Sequence, residues 1–89
     1  MERRTVHFAG RVQGVGFRYT VVSVARRYAV TGYVQNLSDG RVVLVAEGPA
    51  VELDRFLAEL GETMRAYIRE TRFELGSPTG EFQGFQVRY

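Results

Sequence analysis

The sequence contains no cysteine and only one histidine. Without cysteine, the chain has no disulfide, no thiolate nucleophile and no cysteine-ligated zinc site. The single histidine, His7, lies within the first predicted strand, without metal-ligand spacing and without a serine or aspartate partner nearby, so we interpret it as a structural or exposed side chain. These absences argue against covalent catalysis.

Lysine is also absent, so all 12 basic residues are arginines, and 10 acidic residues leave a formal net charge of +2. The planar guanidinium suits phosphate and carboxylate ligands, but an arginine-only surface is also what a biased genome composition would produce. Acidic and basic residues are interspersed, and no run of like charge marks a nucleic-acid-binding surface. We expect no nucleic-acid partner.

Long apolar runs are missing as well. No stretch approaches the roughly 18 to 20 apolar residues of a membrane span. The apolar run within the N-terminal MERRTVHFAG is too short for a signal peptide. We therefore expect a cytoplasmic protein without a membrane partner. The 89 residues, 45% of them hydrophobic, suffice for a single globular domain over residues 1–89.

Hydrophobic periodicity predicts the element order β-α-β-β-α-β, with the last strand region split or doubled. The predicted strands cover 4–12, 31–37, 41–47, an extended region over 65–75 and a final run through Tyr89; the predicted helices begin at Phe17 and after Gly48-Pro49. We expect Gly61 to end the second helix. This order predicts an α+β, ferredoxin-like (split βαβ) two-layer sandwich, with an antiparallel four- to five-stranded sheet and two helices on one face.

A glycine-rich segment, Gly10-Arg-Val-Gln-Gly-Val-Gly-Phe-Arg18, joins the first strand to the first helix. Backbone N–H groups at such a turn lack intrahelical partners and lie near the positive end of the helix dipole, so the turn attracts anions. Gly14 and Gly16 allow successive amides to surround one phosphoryl group, which Arg18 can grip through two oxygens. A plain tight turn with a solvated Arg18 is the alternative. The segment does not match G-x-G-x-x-G or a nucleotide P-loop, so we expect no nucleotide cofactor.

The other polar residues offer one further candidate. The carboxylates form no obvious metal cluster, and we interpret each as a solvated surface group: Glu47, Glu52, Asp54, Glu59, Glu62, Glu70, Glu74 and Glu81. Asn36, at the end of the second predicted strand, has an amide that can accept a hydrogen bond from water and donate one to an oxygen. An Asx-turn is the alternative role for Asn36.

Two long motifs in the sequence resemble those of the acylphosphatase family. One is GRVQGVGFR, and the other is Gly32-Tyr-Val-Gln-Asn36, followed after three residues by Gly40-Arg-Val42 and later by Gly48. The similarity spans nearly the whole chain, including the closing EFQGFQVRY. The chain departs from the family at Tyr33, where members often carry tryptophan, and at Gly61-Glu62, where they often carry Gly-Pro. These departures leave open the substrate fit and the stability of the loop that follows the second predicted helix.

The resemblance implies a ferredoxin-like hydrolase that cleaves the carboxyl-phosphate bond of small-molecule acyl phosphates and releases inorganic phosphate, with no metal and no cofactor. By position in the motifs, Arg18 is the arginine that binds phosphate, and Asn36 is the residue that orients the attacking water. The backbone amides of the cradle belong to Gln13, Gly14, Val15, Gly16, Phe17 and Arg18. We expect a monomer.

Two other functions remain possible for this fold. An RNA-binding domain of the same layout would carry an aromatic strand motif that this chain lacks. A non-catalytic anion-binding or accessory module is the second alternative, because acylphosphatase-like domains also occur within larger carbamoyl-transfer proteins. The chain ends at the last predicted strand, which favours a free-standing enzyme.

Overall fold

A computed structural model, which describes all residues from Met1 to Tyr89, contains five strands and two helices in the predicted order. The elements are β1 (Glu2–Gly10), α1 (Phe17–Ala25), β2 (Thr31–Asn36), β3 (Val42–Gly48), α2 (Ala50–Thr63), β4 (Ile68–Gly76) and β5 (Phe85–Arg88). The last strand region is thus split into β4 and β5. The ferredoxin-like α+β prediction is confirmed.

The strands form one sheet in the order β4-β1-β3-β2-β5. The pairs β1–β3, β1–β4 and β2–β3 are antiparallel, as predicted, but β5 runs parallel to β2. The sheet is therefore mixed at this edge. The reason is that residues 77–84 carry the chain from β4 at one edge to β5 at the other, a connection that local turn patterns do not describe.

Both helices pack on one face of the sheet, because alternate residues of the central strands are apolar on that side. Val6 and Val34 both lie opposite Leu44 in the strand register, and all three side chains are fully buried. The same core cluster contains apolar residues of both helices, namely Phe17, Val21, Val24, Ala25, Leu53, Phe56 and Leu60. This core places the beginning of α1 beside the end of β2.

The second helix is longer than the sequence predicted, because Gly61 does not end it. Helix α2 continues to Thr63, and the Met64 N–H donates to the Leu60 carbonyl at 3.0 Å. A glycine inside a helix costs only about 1 kcal/mol relative to alanine. The buried side chain of Met64 belongs to the core cluster, and this packing favours another helical turn past the glycine.

The face of the sheet opposite the helices is crossed by residues 77–84, here called the covering segment, which is anchored on Glu47. The carboxylate of Glu47 accepts hydrogen bonds from the N–H groups of Thr79 and Gly80 at 2.8 and 2.9 Å, from the Thr79 hydroxyl at 3.1 Å and from the Arg3 guanidinium at 3.2 Å. Burial raises the pKa of Glu47, but the combined donors outweigh it and hold this pKa below its usual value.

The prediction that Glu47 is a solvated surface group was therefore wrong, since its side chain is only 3% exposed. The sequence pattern of β3 does not reveal a distant segment that crosses this face of the sheet. The other predicted surface carboxylates are exposed or half-buried. Neither helix is long and apolar enough to cross a membrane.

Candidate active site

The glycine loop between β1 and α1 is fixed at both ends by buried side chains. Val12 and Phe17 are 1% and 2% exposed, and the Phe17 ring packs against Phe8 with ring centroids 5.1 Å apart. Between them, Gly14 and Gly16 have φ of 76° and 75°, in the left-handed region that favours glycine. The loop therefore turns tightly into α1.

The backbone amides at this turn have no partners within the chain. No N–H group of residues 13–19 donates a hydrogen bond to a backbone acceptor, and no side chain caps the beginning of α1. The Gly16 carbonyl instead accepts from the N–H and the hydroxyl of Thr20, both at 3.0 Å. Free amides at a helix N-terminus, beside the positive end of its dipole, are a binding site for an anion.

A cavity of about 210 Å³ opens at this turn, and both Arg18 and Asn36 line it. Gly14, Gly16 and Phe17 also line this cavity, whereas Gln13 and Val15 lie outside the lining. The structure thus brings together the two predicted side chains, which belong to separate motifs, and four of the six residues of the predicted amide cradle. We name this space the phosphate cavity after the anion that its donors suit.

Asn36, which lines this cavity, carries an unpaired polar atom. It is the last residue of β2, paired with Val42 of β3, and its side-chain Oδ1 is buried without a hydrogen-bond partner. Only one other side-chain atom of the chain, Nε of Arg4, is in this situation. A buried amide oxygen without a donor costs about 1 to 3 kcal/mol, so its presence next to a cavity suggests a function.

Gln13 joins the glycine loop to the β2–β3 hairpin through its side chain. Its Nε2 donates to the carbonyls of Leu37 at 2.8 Å and Arg41 at 3.0 Å. Leu37 directly follows Asn36, so these bonds hold the loop and the end of β2 together. Sequence reasoning selected Gln13 for its backbone amide and missed this clamp; a long amide side chain within a glycine-rich loop was the only available hint.

The guanidinium of Arg18 is half-buried and forms no ion pair with a carboxylate of the chain. It lies 5.0 Å from the ring centroid of Tyr89, a cation–π contact. Tyr89 is held at this position by Gln35, which donates to its carbonyl at 3.1 Å, and its hydroxyl lies 3.4 Å from that of Tyr19. The contact with Tyr19 raises the pKa of the Tyr89 phenol. The sequence analysis missed this role of Tyr89, because the alternation pattern indicated only that Tyr89 ends the last strand.

The electrostatics of the cavity favour an anion. Its lining contains one arginine, free amides and no carboxylate. No group of three His, Asp or Glu side chains in the chain could hold a metal ion. These donors suit the oxygens of a phosphate. They do not suit a divalent cation such as Mg²⁺, which is bound mainly by carboxylate oxygens.

The remaining residues singled out by the sequence lie away from this cavity. His7 lies on the face of the sheet without helices, beside Ala9 and Arg72. Tyr33 lies on the same face, where the Arg88 guanidinium stands 3.7 Å from its ring centroid and Phe82 packs on it edge to face. Gly61 lies within α2. None of them lines the phosphate cavity.

Comparison with known proteins agrees with the motifs. The family model described as Acylphosphatase matches residues 4–87. The chain is 48% identical over 90 residues to an acylphosphatase of Clostridium acetobutylicum, covering 100% of the chain and 99% of the relative. It is 40% identical over 90 residues to an acylphosphatase of Corynebacterium glutamicum, covering 97% and 96%. Its fold is similar to the crystal structure of the acylphosphatase from Bacillus subtilis, with a TM-score of 0.90 at 30% identity over the full length of both chains.

Proposed function

The chain belongs to the acylphosphatase family, and we propose that its glycine loop and Arg18 hold the phosphoryl group of an acyl phosphate while Asn36 orients the attacking water. Its full-length relatives carry the name of this hydrolase, so the chain is an acylphosphatase with a small-molecule substrate and inorganic phosphate as a product. One observation carries the mechanism: Arg18 and Asn36, from separate motifs, line one cavity beside free backbone amides.

Phosphate binding is assigned to the loop and Arg18 together. The amides of Gln13, Gly14, Val15, Gly16, Phe17 and Arg18 have no acceptor within the chain. The Arg18 guanidinium has no carboxylate partner to displace, and its planar fork can donate to two phosphate oxygens at once. These donors are in place before the substrate arrives, so they stabilise the charge on the phosphoryl oxygens without reorganisation.

Water positioning is assigned to Asn36. A water that donates one hydrogen to Oδ1 of Asn36 would satisfy this buried acceptor and direct an oxygen lone pair at phosphorus. Because Oδ1 is buried, the amide must turn toward the cavity for the water to reach it. Gln13, which bonds to the carbonyl of the next residue, keeps the end of β2 close to the loop.

Hydrolysis then requires no covalent intermediate. The water oxygen forms a bond to phosphorus in line with the departing group, and the P–O bond to the acyl group breaks. The bonding electron pair leaves with the carboxylate, and both water protons remain on the phosphate, which departs as dihydrogen phosphate. A carboxylate is a good leaving group, so positioning and charge stabilisation supply most of the catalysis.

The proposed site lies within a single chain, so hydrolysis needs no second copy, and we propose that the monomer is active. A non-catalytic anion-binding module is the alternative, since the same cavity would bind phosphate in such a protein. The two functions differ in turnover. We expect the purified protein to hydrolyse benzoyl phosphate in the presence of EDTA, and phosphate binding without hydrolysis would support the module instead.

The roles of Arg18 and Asn36 are separable by kinetics. We expect Arg18→Ala to weaken both turnover and inhibition by inorganic phosphate, because it removes a ground-state contact. We expect Asn36→Ala to lower kcat by about 100-fold or more while phosphate inhibition stays nearly unchanged. Arg55→Ala, an exposed arginine on α2 without an ion pair, is the matched control and should keep parent activity. Normal kcat with weakened phosphate binding in Asn36→Ala would refute its role with water.

A further inference from the structure

A groove of about 450 Å³ runs between α1 and β5, and neither the motifs nor the proposed mechanism uses it. Its walls include Tyr19 and Val22 of α1 and Phe85 and Val87 of β5. The side chains of Val22, Phe85 and Val87 pack against the core on one side and are only half-buried. An apolar surface of this kind is open for a ligand.

The groove adjoins the phosphate cavity at Tyr19, which lines both. Val22 is one helical turn beyond Arg18, about 6 Å along the helix axis, and Arg26 is two turns beyond it, about 12 Å. Strand β5 runs parallel to β2, with Val87 opposite Val34 and Arg88 opposite Gln35, so its far end approaches the strand end that carries Asn36. The groove therefore leads away from the site along α1.

The lining determines which chemical groups fit. Phe85 is fixed by an edge-to-face contact with Phe56, at 5.6 Å between ring centroids, so this wall is preformed. No carboxylate lines the groove, and its far end carries Arg26, which has no ion pair within the chain. An apolar group bound at Val22 and Val87 would remove from water both its own apolar surface and that of the groove.

We propose that this groove binds the acyl group of the substrate and selects acyl phosphates with a bulky apolar acyl group, such as an aromatic ring. The inference rests on the proposed function, which places the phosphoryl group beside Arg18. An acyl group is bonded to that phosphoryl group, so it must leave the cavity, and the groove beyond Tyr19 is the apolar path that adjoins it. In this arrangement a benzoyl ring is long enough to extend toward Val22, about 6 Å along the helix, whereas the methyl group of acetyl phosphate is not.

Contacts of this kind act on binding and not on the chemical step. The acyl group lies in the groove in both the bound substrate and the transition state, so its contacts lower KM and leave kcat unchanged. Losing the fit of one apolar group in a pocket changes selectivity by roughly 10-fold or more. The groove is thus a determinant of specificity, separate from the residues that hold phosphate and water.

The test compares two substrates in two Val22 variants. We expect Val22→Asn, a polar but uncharged replacement, to raise KM for benzoyl phosphate about 10-fold and to leave KM for acetyl phosphate and inhibition by inorganic phosphate unchanged. Val22→Ala, which favours the helix and should fold, is expected to raise KM for benzoyl phosphate by a smaller factor. Val51→Asn, at an exposed valine on α2, is the matched control and should change neither value. The KM of each variant is divided by the KM of the parent for the same substrate. The different reactivities of benzoyl and acetyl phosphate therefore do not affect the comparison.

The possible outcomes separate the two proposals. Equal increases in KM for both substrates, or unchanged KM for both in the two Val22 variants, would overturn the groove as an acyl site while leaving the hydrolase intact. If the parent hydrolyses neither substrate, the proposed function itself fails. A rise in KM confined to benzoyl phosphate supports the inference.

Discussion

Replacing Glu47 with glutamine tests how the covering segment is held. In the structure, one oxygen of the carboxylate accepts from the Thr79 N–H, the Thr79 hydroxyl and Arg3, while the other accepts from the Gly80 N–H. A glutamine can keep its oxygen toward Thr79, but its NH2 group then faces the Gly80 N–H, and the remaining bonds lose the assistance of a charge. One buried donor without an acceptor costs about 1 to 3 kcal/mol, and together with the weakened bonds we expect a loss of about 2 to 3 kcal/mol.

For a chain of this size, that loss corresponds to a fall in Tm of about 10 to 20 °C. Thermal unfolding followed by circular dichroism measures it, with Glu74→Gln, an exposed carboxylate on β4 without an ion pair, as the control. The pKa of Glu47 is lower in the folded chain than its usual value of 4.5, so the carboxylate stabilises the fold above this pH. That stabilisation is lost as the pH falls through the folded-state pKa, and the difference between parent and variant should narrow in acid.

Two results would refute this reasoning. Equal Tm values for the parent, Glu47→Gln and Glu74→Gln at neutral pH would show that the four hydrogen bonds to Glu47 contribute nothing net. A difference that persists unchanged in strong acid would show that the effect comes from packing and not from the charged carboxylate.

Two further predictions concern the glycine loop. Gly16→Ala has open space for its Cβ but must hold φ near 75°, so we expect the free energy of unfolding to fall by about 1 to 2 kcal/mol and kcat/KM to fall by more than this loss explains. Activity equal to that of the parent would contradict an amide cradle. The control Gly61→Ala, in the interior of α2, should be neutral or stabilising. Gln13→Ala removes two hydrogen bonds to the hairpin, so we expect a lower Tm and a lower kcat, while Gln83→Ala, an exposed side chain, should change neither. An unchanged kcat in Gln13→Ala would show that the clamp does not position Asn36.

Much of the fold was predictable because local patterns and tertiary packing agree. The alternation of Val6 and Phe8 in β1 and the helical spacing from Phe17 each identify the face that enters the core, and the turn residues Ser38-Asp39-Gly40 separate two strands that pair, β2 and β3. Gly61 shows where local rules fail, because the packing of Met64 outweighs the helix-ending tendency of glycine. The parallel strand β5 also escaped prediction, because its position depends on a segment that crosses the whole sheet.

The candidate site divides in the same way. Arg18 and Asn36 were selected from two motifs, and the structure places both at one cavity. Tyr89 and the side chain of Gln13 were missed, because each acts on residues far from it in the sequence: Tyr89 packs on Arg18, and Gln13 bonds to Leu37 and Arg41. Single-residue propensities hold no information on such contacts.

The sequence by itself determined the order of the elements, which follows from hydrophobic periodicity. It also determined the family and the two side chains proposed for phosphate and water, because its two motifs resemble those of that family. Only the tertiary structure decided that Glu47 is buried under the covering segment and that an apolar groove lies next to the phosphate cavity, with Tyr19 lining both. Both features arise where segments distant in the chain meet, and burial there depends on what covers a residue and not on its neighbours in sequence.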